Sequence, residues 1–153
     1  MSDWHLAQLN VARLRVPLDH PALIPFVSNL WAVNAEADAA PGFVWRLQES
    51  GSGNATDLRP WGEDMIVNMS VWTDVESLRQ YVFTPGHIEI MRQRRAFFTP
   101  SETPYAVLWW VPAGHLPTLD EAKERLDLLT AEGPSTRAFT FRDEHPPEAP
   151  AVA

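Results

Sequence analysis

Four stretches of the chain alternate with period two, the pattern of β-strands whose two faces differ. In Trp4–Leu14, His5, Ala7, Leu9 and Val11 share one side, and Leu6, Gln8, Asn10 and Ala12 share the other. Phe43–Glu49 sets Phe43, Trp45 and Leu47 against Val44, Arg46 and Gln48. Met65–Trp72 carries an apolar row, Met65, Val67, Met69 and Val71, and a mixed row, Ile66, Asn68, Ser70 and Trp72. The apolar row is expected under helices and the mixed row against something wetter. Tyr105–Pro112 is apolar on both rows, so both of its faces should be covered.

Between the strands, apolar residues recur at helical spacing. Ile24, Val27, Leu30 and Trp31 lie near one face, flanked by Phe26, Val33 and Ala37, with Asp19 as the expected cap and Pro41-Gly42 as the stop. Thr73 and Glu76 read as a capping box ahead of Val75, Leu78 and Val82. Thr84-Pro85-Gly86 breaks that helix and starts another, with a proline suited to the first helical position. His87 then falls in the first turn, and Ile88, Met91, Arg95 and Phe98 share its buried side. Thr118 and Glu121 form a second capping box before Leu119, Ala122, Leu126 and Leu129, and Gly133-Pro134 ends the stripe. Residues 137–142 are expected to add a short edge strand. The chain reads as one domain over residues 1–142, with a disordered Pro/Ala-rich tail over 143–153.

Composition narrows the partners. The 153 residues carry a net charge of −8, which disfavours nucleic acid. Arg92, Arg94 and Arg95 cluster, read either as a solvated helix face with ion pairs or as an anion contact beside a pocket. No apolar run approaches the roughly 20 residues of a membrane span. The start lacks a basic and an apolar signal region, so a cytoplasmic protein is expected. There is no cysteine, hence no disulfide and no thiolate chemistry. The 54–64 loop holds Trp61, read either as a lid or as a plug for the end of the core.

Trp72, Asp74, Glu76, Leu78, Tyr81, Thr84 and His87 follow the strand–helix pattern of the dimeric α/β-barrel superfamily, which includes antibiotic-biosynthesis and haem-degrading monooxygenases. LAQLNVARLR, PGFVWRLQ, NATDLRP and VLWWVPAGH resemble an uncharacterised bacterial family related to that superfamily. The resemblance implies an α+β, ferredoxin-like fold: a four-stranded antiparallel sheet, helices on one face, and here an extra C-terminal helix and short strand. It also implies a homodimer. In this reading a partner sheet covers the second face of Tyr105–Pro112, and the mixed rows line a barrel interior holding a small-molecule cavity.

Candidate chemistry follows from those rows. Asn68 and Trp72 are four apart on one strand and project from the same face. They are similar to the Asn/Trp arrangement of cofactor-free monooxygenases, where the pair binds and polarises an electron-rich aromatic substrate. Asn68, Trp72 and His87 are the expected catalytic residues. Asn10, Arg46, Ser70, Tyr81, Arg95 and Trp109 are the expected substrate contacts, with Arg46 or Arg95 facing a developing anion. At a helix N-terminus His87 favours its neutral form, suited to moving a proton. No metal site is expected from His5, His87 and His115, and no cofactor fingerprint is present. The alternatives are a non-catalytic ligand-binding module and a haem protein with His87 as axial ligand.

Overall fold

β1 (Trp4–Leu14) is the axis of the sheet in the computed structural model, which describes residues 3–48, 59–100 and 104–147. On one side it pairs antiparallel with β3 (Met65–Trp72), from Leu6 opposite Trp72 to Arg13 opposite Met65. β2 (Phe43–Arg46) extends that side on the far edge of β3. Along its other side β1 pairs first with β5 (Ala106–Pro112) and then, at Arg13 and Leu14, with the two-residue β4 (Phe98–Thr99). The order β2-β3-β1-β5 is the ferredoxin-like antiparallel arrangement, and the sheet is open. At the outer edge of β5, Leu108 and Phe139 exchange two backbone hydrogen bonds of 2.8 Å, so the short C-terminal strand is a single bridge.

Helices lie on both faces. The apolar row of β1, β3 and β5 is Ala7, Leu9, Val11, Val67, Met69, Val71, Val107, Trp109 and Val111, none more than 6% exposed. α5 (Leu119–Glu132) seals it with Ala122, Leu126 and Leu129, spaced four and three apart on one helical stripe. Trp45 and Trp61 pack against the same cluster, so Trp61 plugs the core rather than forming a lid.

The mixed row faces α1 (Ile24–Ala39), α2 (Val75–Val82), α3 (Pro85–Arg92) and α4 (Arg94–Phe97). The expectation of helices on one face is corrected in one respect: the extra C-terminal helix α5 lies on the other, so this chain supplies helices to both. Two apolar clusters form on the mixed side. Leu6, Trp72 and Leu108 meet Ala37, Leu78 and Phe139 at one end. Leu14 and Ile66 meet Leu23, Phe26, Phe97 and Phe98 at the other. Between them the sheet presents Gln8, Asn10, Asn68 and Ser70, with Arg46 of β2 in register with Ser70.

Local geometry explains the joints. Gly42 ends the turn after α1 at φ 81°, and a Cβ there would sit 2.2 Å from Ser77 Oγ, so α2 can close onto it only over a glycine. Gly86 lies against α1: a Cβ would come within 2.7 Å of the Glu36 carboxylate. Two caps differ from the sequence reading. Asp74, not Thr73, accepts the Ser77 N–H at 2.7 Å, and His20, not Asp19, accepts from Ala22 at the 3-10 turn Pro21–Leu23 before α1. Thr118 caps α5 as expected, but Glu121 turns away from the box to take the Trp109 indole N–H at 2.8 Å and to pair with His115 at 2.7 Å. The expected tail also begins in contact: Glu144 pairs with Arg79, and the His145 carbonyl accepts the Trp110 indole N–H at 2.8 Å. Residues 148–153, and 49–58 of the long loop, fall outside the described residues.

Candidate functional site

The amide band at the middle of the sheet is where polar groups converge. Gln8 is 8% exposed and Ser70 6%, whereas Asn10 is half-buried and Asn68 is exposed, beyond the last β2 pair, Arg46 with Ser70. Neither apolar cluster includes these four residues, so they form a polar floor between the two, reached by solvent at Asn68.

Hydrogen bonds run through the floor without a break. Gln8 Nε2 donates to Asn68 Oδ1 at 2.7 Å and to Ser70 Oγ at 2.8 Å. Gln8 Oε1 accepts from Asn10 Nδ2 at 3.2 Å, and the same Asn10 nitrogen lies 3.4 Å from Asn68 Oδ1. Ser70 Oγ also accepts the Trp72 indole N–H at 2.8 Å. Asn68 thus has its carbonyl committed inward and its NH2 turned to the opening.

Rings continue the line. Trp72, fully buried, stacks on Tyr81 at 5.1 Å between centroids, and Tyr81 meets the His87 ring at 5.2 Å and 64°. The Tyr81 hydroxyl donates to the Val33 carbonyl at 3.2 Å. Burial, with Glu36 and Asp38 nearby, pushes its pKa far above the usual range, so it stays a phenol. Burial pulls the His87 pKa down, against smaller opposing effects of the Val82 carbonyl and Glu36. His87 is therefore neutral at pH 7, as its place in the helix suggested. Its Nδ1 is buried without a hydrogen-bond partner.

Six of the nine expected residues are brought into one line: Asn10, Asn68, Ser70, Trp72, Tyr81 and His87. The other three are not. Arg46 shares the face, in register with Ser70, but its guanidinium is tied to Asp38 of α1 at 2.7 Å. Arg95 is exposed on α4, and no hydrogen bond or ring contact links it to the floor among the described residues. Trp109 points to the opposite face, under α5; it is Trp110 that belongs to the mixed row. Gln8, the hub, was not singled out by the sequence.

His87 is poorly placed to hold a haem: its Nδ1 is enclosed, and Tyr81, stacked on buried Trp72, packs against its ring. Among the described residues no group of three or more histidines, aspartates and glutamates could hold a metal ion. No helix there is long and apolar enough to cross a membrane. A concavity of about 550 Å³ beside the start of α5 and one of about 300 Å³ near Trp61 lie elsewhere. Their best-placed charges are already paired, His115 with Glu121 and Arg13 with Asp64.

Comparison with known proteins places this geometry in context. A family described as a domain of unknown function (DUF3291) matches residues 5–152. No curated protein matches the sequence. Among solved structures, a conserved protein from Methanosarcina mazei Go1 aligns at 11% identity and a TM-score of 0.49, over 72% of this chain and 93% of its own. Rv0793 from Mycobacterium tuberculosis aligns at 15% and 0.48, over 74% and 99%. SnoaB from Streptomyces nogalater, described as a cofactor-independent oxygenase, aligns at 20% and 0.44, over 75% and 97%.

Proposed function

This chain belongs to the DUF3291 family, and we propose that it is a small-molecule enzyme of the monooxygenase type, acting on a flat, electron-rich aromatic that carries a ketone or phenol oxygen. The observation that carries the reading is the amide floor, where solvent-reached Asn68 is held by buried Gln8 and lies two residues from buried Ser70, which accepts the Trp72 indole N–H.

Anthrone-like compounds illustrate the chemistry. The ring CH2 releases a proton to solvent water, which returns it to the peroxide formed later, leaving an anion whose charge rests on the ketone oxygen. The Asn68 NH2 donates to that oxygen and stabilises the charge as it develops. The electron-rich anion passes an electron to dioxygen, the two radicals combine, and loss of water leaves a new ketone. Overall CH2 and O2 give C=O and H2O, so the substrate supplies every electron and no external reductant is needed. Trp72, held by Ser70 and stacked on Tyr81, forms a rigid flat wall beside the floor. His87 packs on Tyr81 from behind, and its enclosed nitrogen suits a positioning role better than proton transfer.

Oxygen uptake across a panel of hydroxylated anthrones and quinols tests the proposal. Removing one such donor lowers turnover about 10²–10³-fold, so Asn68→Ala should nearly abolish enzyme-dependent uptake. Equal traces for wild type and Asn68→Ala would refute the assignment.

A further inference from the structure

Gln8 joins two amides through its two ends. Its NH2 serves Asn68 and its carbonyl serves Asn10. A primary amide has one accepting and one donating end, so each asparagine must turn the matching end inward. Asn68 turns its carbonyl in and offers NH2 outward. Asn10 turns its NH2 in and offers a carbonyl outward. If Gln8 rotated by half a turn, both neighbours would have to rotate with it, and the two outward groups would exchange. In either state one asparagine offers a donor and the other an acceptor.

We propose that Gln8 is a positioning residue that forces Asn68 and Asn10 to show opposite hydrogen-bonding polarity, so that the site demands a hydroxyl at one asparagine, takes a hydroxyl or a carbonyl oxygen at the other, and rejects a flat compound with carbonyl oxygens alone. This rests on the amide floor being the ligand site, as the functional reading holds, but not on the ligand reacting with oxygen. A diketone meets a carbonyl at Asn10 and leaves that polar pair unmade, whereas a phenolic hydroxyl, donor and acceptor at once, serves either asparagine. The direct Asn10–Asn68 contact reinforces the coupling.

Substituting the hub tests the idea. Gln8→Glu keeps the size of the side chain but, once ionised, accepts from both neighbours. Both asparagines then turn NH2 inward and carbonyl outward, and the preferred ligand becomes a diol. Calorimetric titration with 5-hydroxy-1-tetralone, 1,5-dihydroxynaphthalene and 1-tetralone reads this out, with circular dichroism confirming that each variant is folded. Wild type should bind the hydroxyketone and the diol within about threefold of each other, and each about tenfold more tightly than 1-tetralone. Gln8→Glu at pH 8 should hold the diol but bind the hydroxyketone about tenfold more weakly, because its ketone then meets a carbonyl. Lowering the pH until the introduced carboxylate protonates restores a donor and should restore the hydroxyketone. Hydroxyketone binding unchanged in Gln8→Glu at pH 8, or 1-tetralone bound by wild type as tightly as the hydroxyketone, would overturn the proposal. Discrimination without oxygen uptake would uphold it and sink the monooxygenase reading. Uptake that depends on Asn68 without discrimination would do the reverse.

Discussion

Leu126→Ala probes what covers the apolar face of the sheet. Leu126 is 6% exposed and belongs to the cluster that contains Val11, Val67, Val107 and Trp109. The substitution removes three carbons, about 2.4 kcal/mol of transfer free energy at about 0.8 kcal/mol per carbon. A partly collapsed cavity adds to this, and buried Leu→Ala changes as a class cost about 2–5 kcal/mol. About 3 kcal/mol is expected here, because α5 is a single helix free to settle toward the sheet. With a urea slope of about 2 kcal/mol per molar, the midpoint should fall by about 1.5 M. Tryptophan fluorescence follows the transition, since Trp109 lies under α5. A loss under about 0.5 kcal/mol would refute the placement of α5 against the sheet.

Two further predictions concern His87. Its folded pKa lies below the ordinary value of 6.5, so between the two the unfolded chain binds more protons and stability is lost as pH falls through that window. Wild type should lose up to about 1.4 kcal/mol per pH unit more than His87→Gln just below pH 6.5, read as urea midpoints at pH 5 and 7.5; parallel pH profiles would contradict this. Titration with haem should give no Soret band that depends on His87, and a band lost in His87→Ala would show that the pocket opens for a porphyrin.

Much of the sheet is legible because period two is a strong signal when apolar and polar residues alternate. β1 and β3 begin and end where the pattern does. Alternation states which side chains share a face but not what covers it. The place of α5 under the apolar face is not legible because the path of the chain after Pro112 is a tertiary fact with no local code. Adjacent Trp109 and Trp110 carry the same ambiguity, since consecutive strand residues face opposite ways and either indole suits a pocket. Thr73 and Asp74 compete for one cap, and the carboxylate reaches the free N–H. Asn68, Trp72 and Tyr81 can be found because strand and helix spacing align them with known patterns. Gln8 is legible as a polar member of the mixed row, but not as the hub, because alternation does not say which of its neighbours an amide will bond.

The floor itself is tested most directly by the side-chain amide resonances of Asn68, Asn10 and Gln8 during titration with 5-hydroxy-1-tetralone. The Asn68 NH2 signals should shift most, saturably and together with those of Gln8, while the Trp109 indole signal on the far face stays still. Shifts confined to residues beside α5, with the Asn68 NH2 unmoved at saturation, would place the ligand elsewhere and remove the foundation of the functional reading.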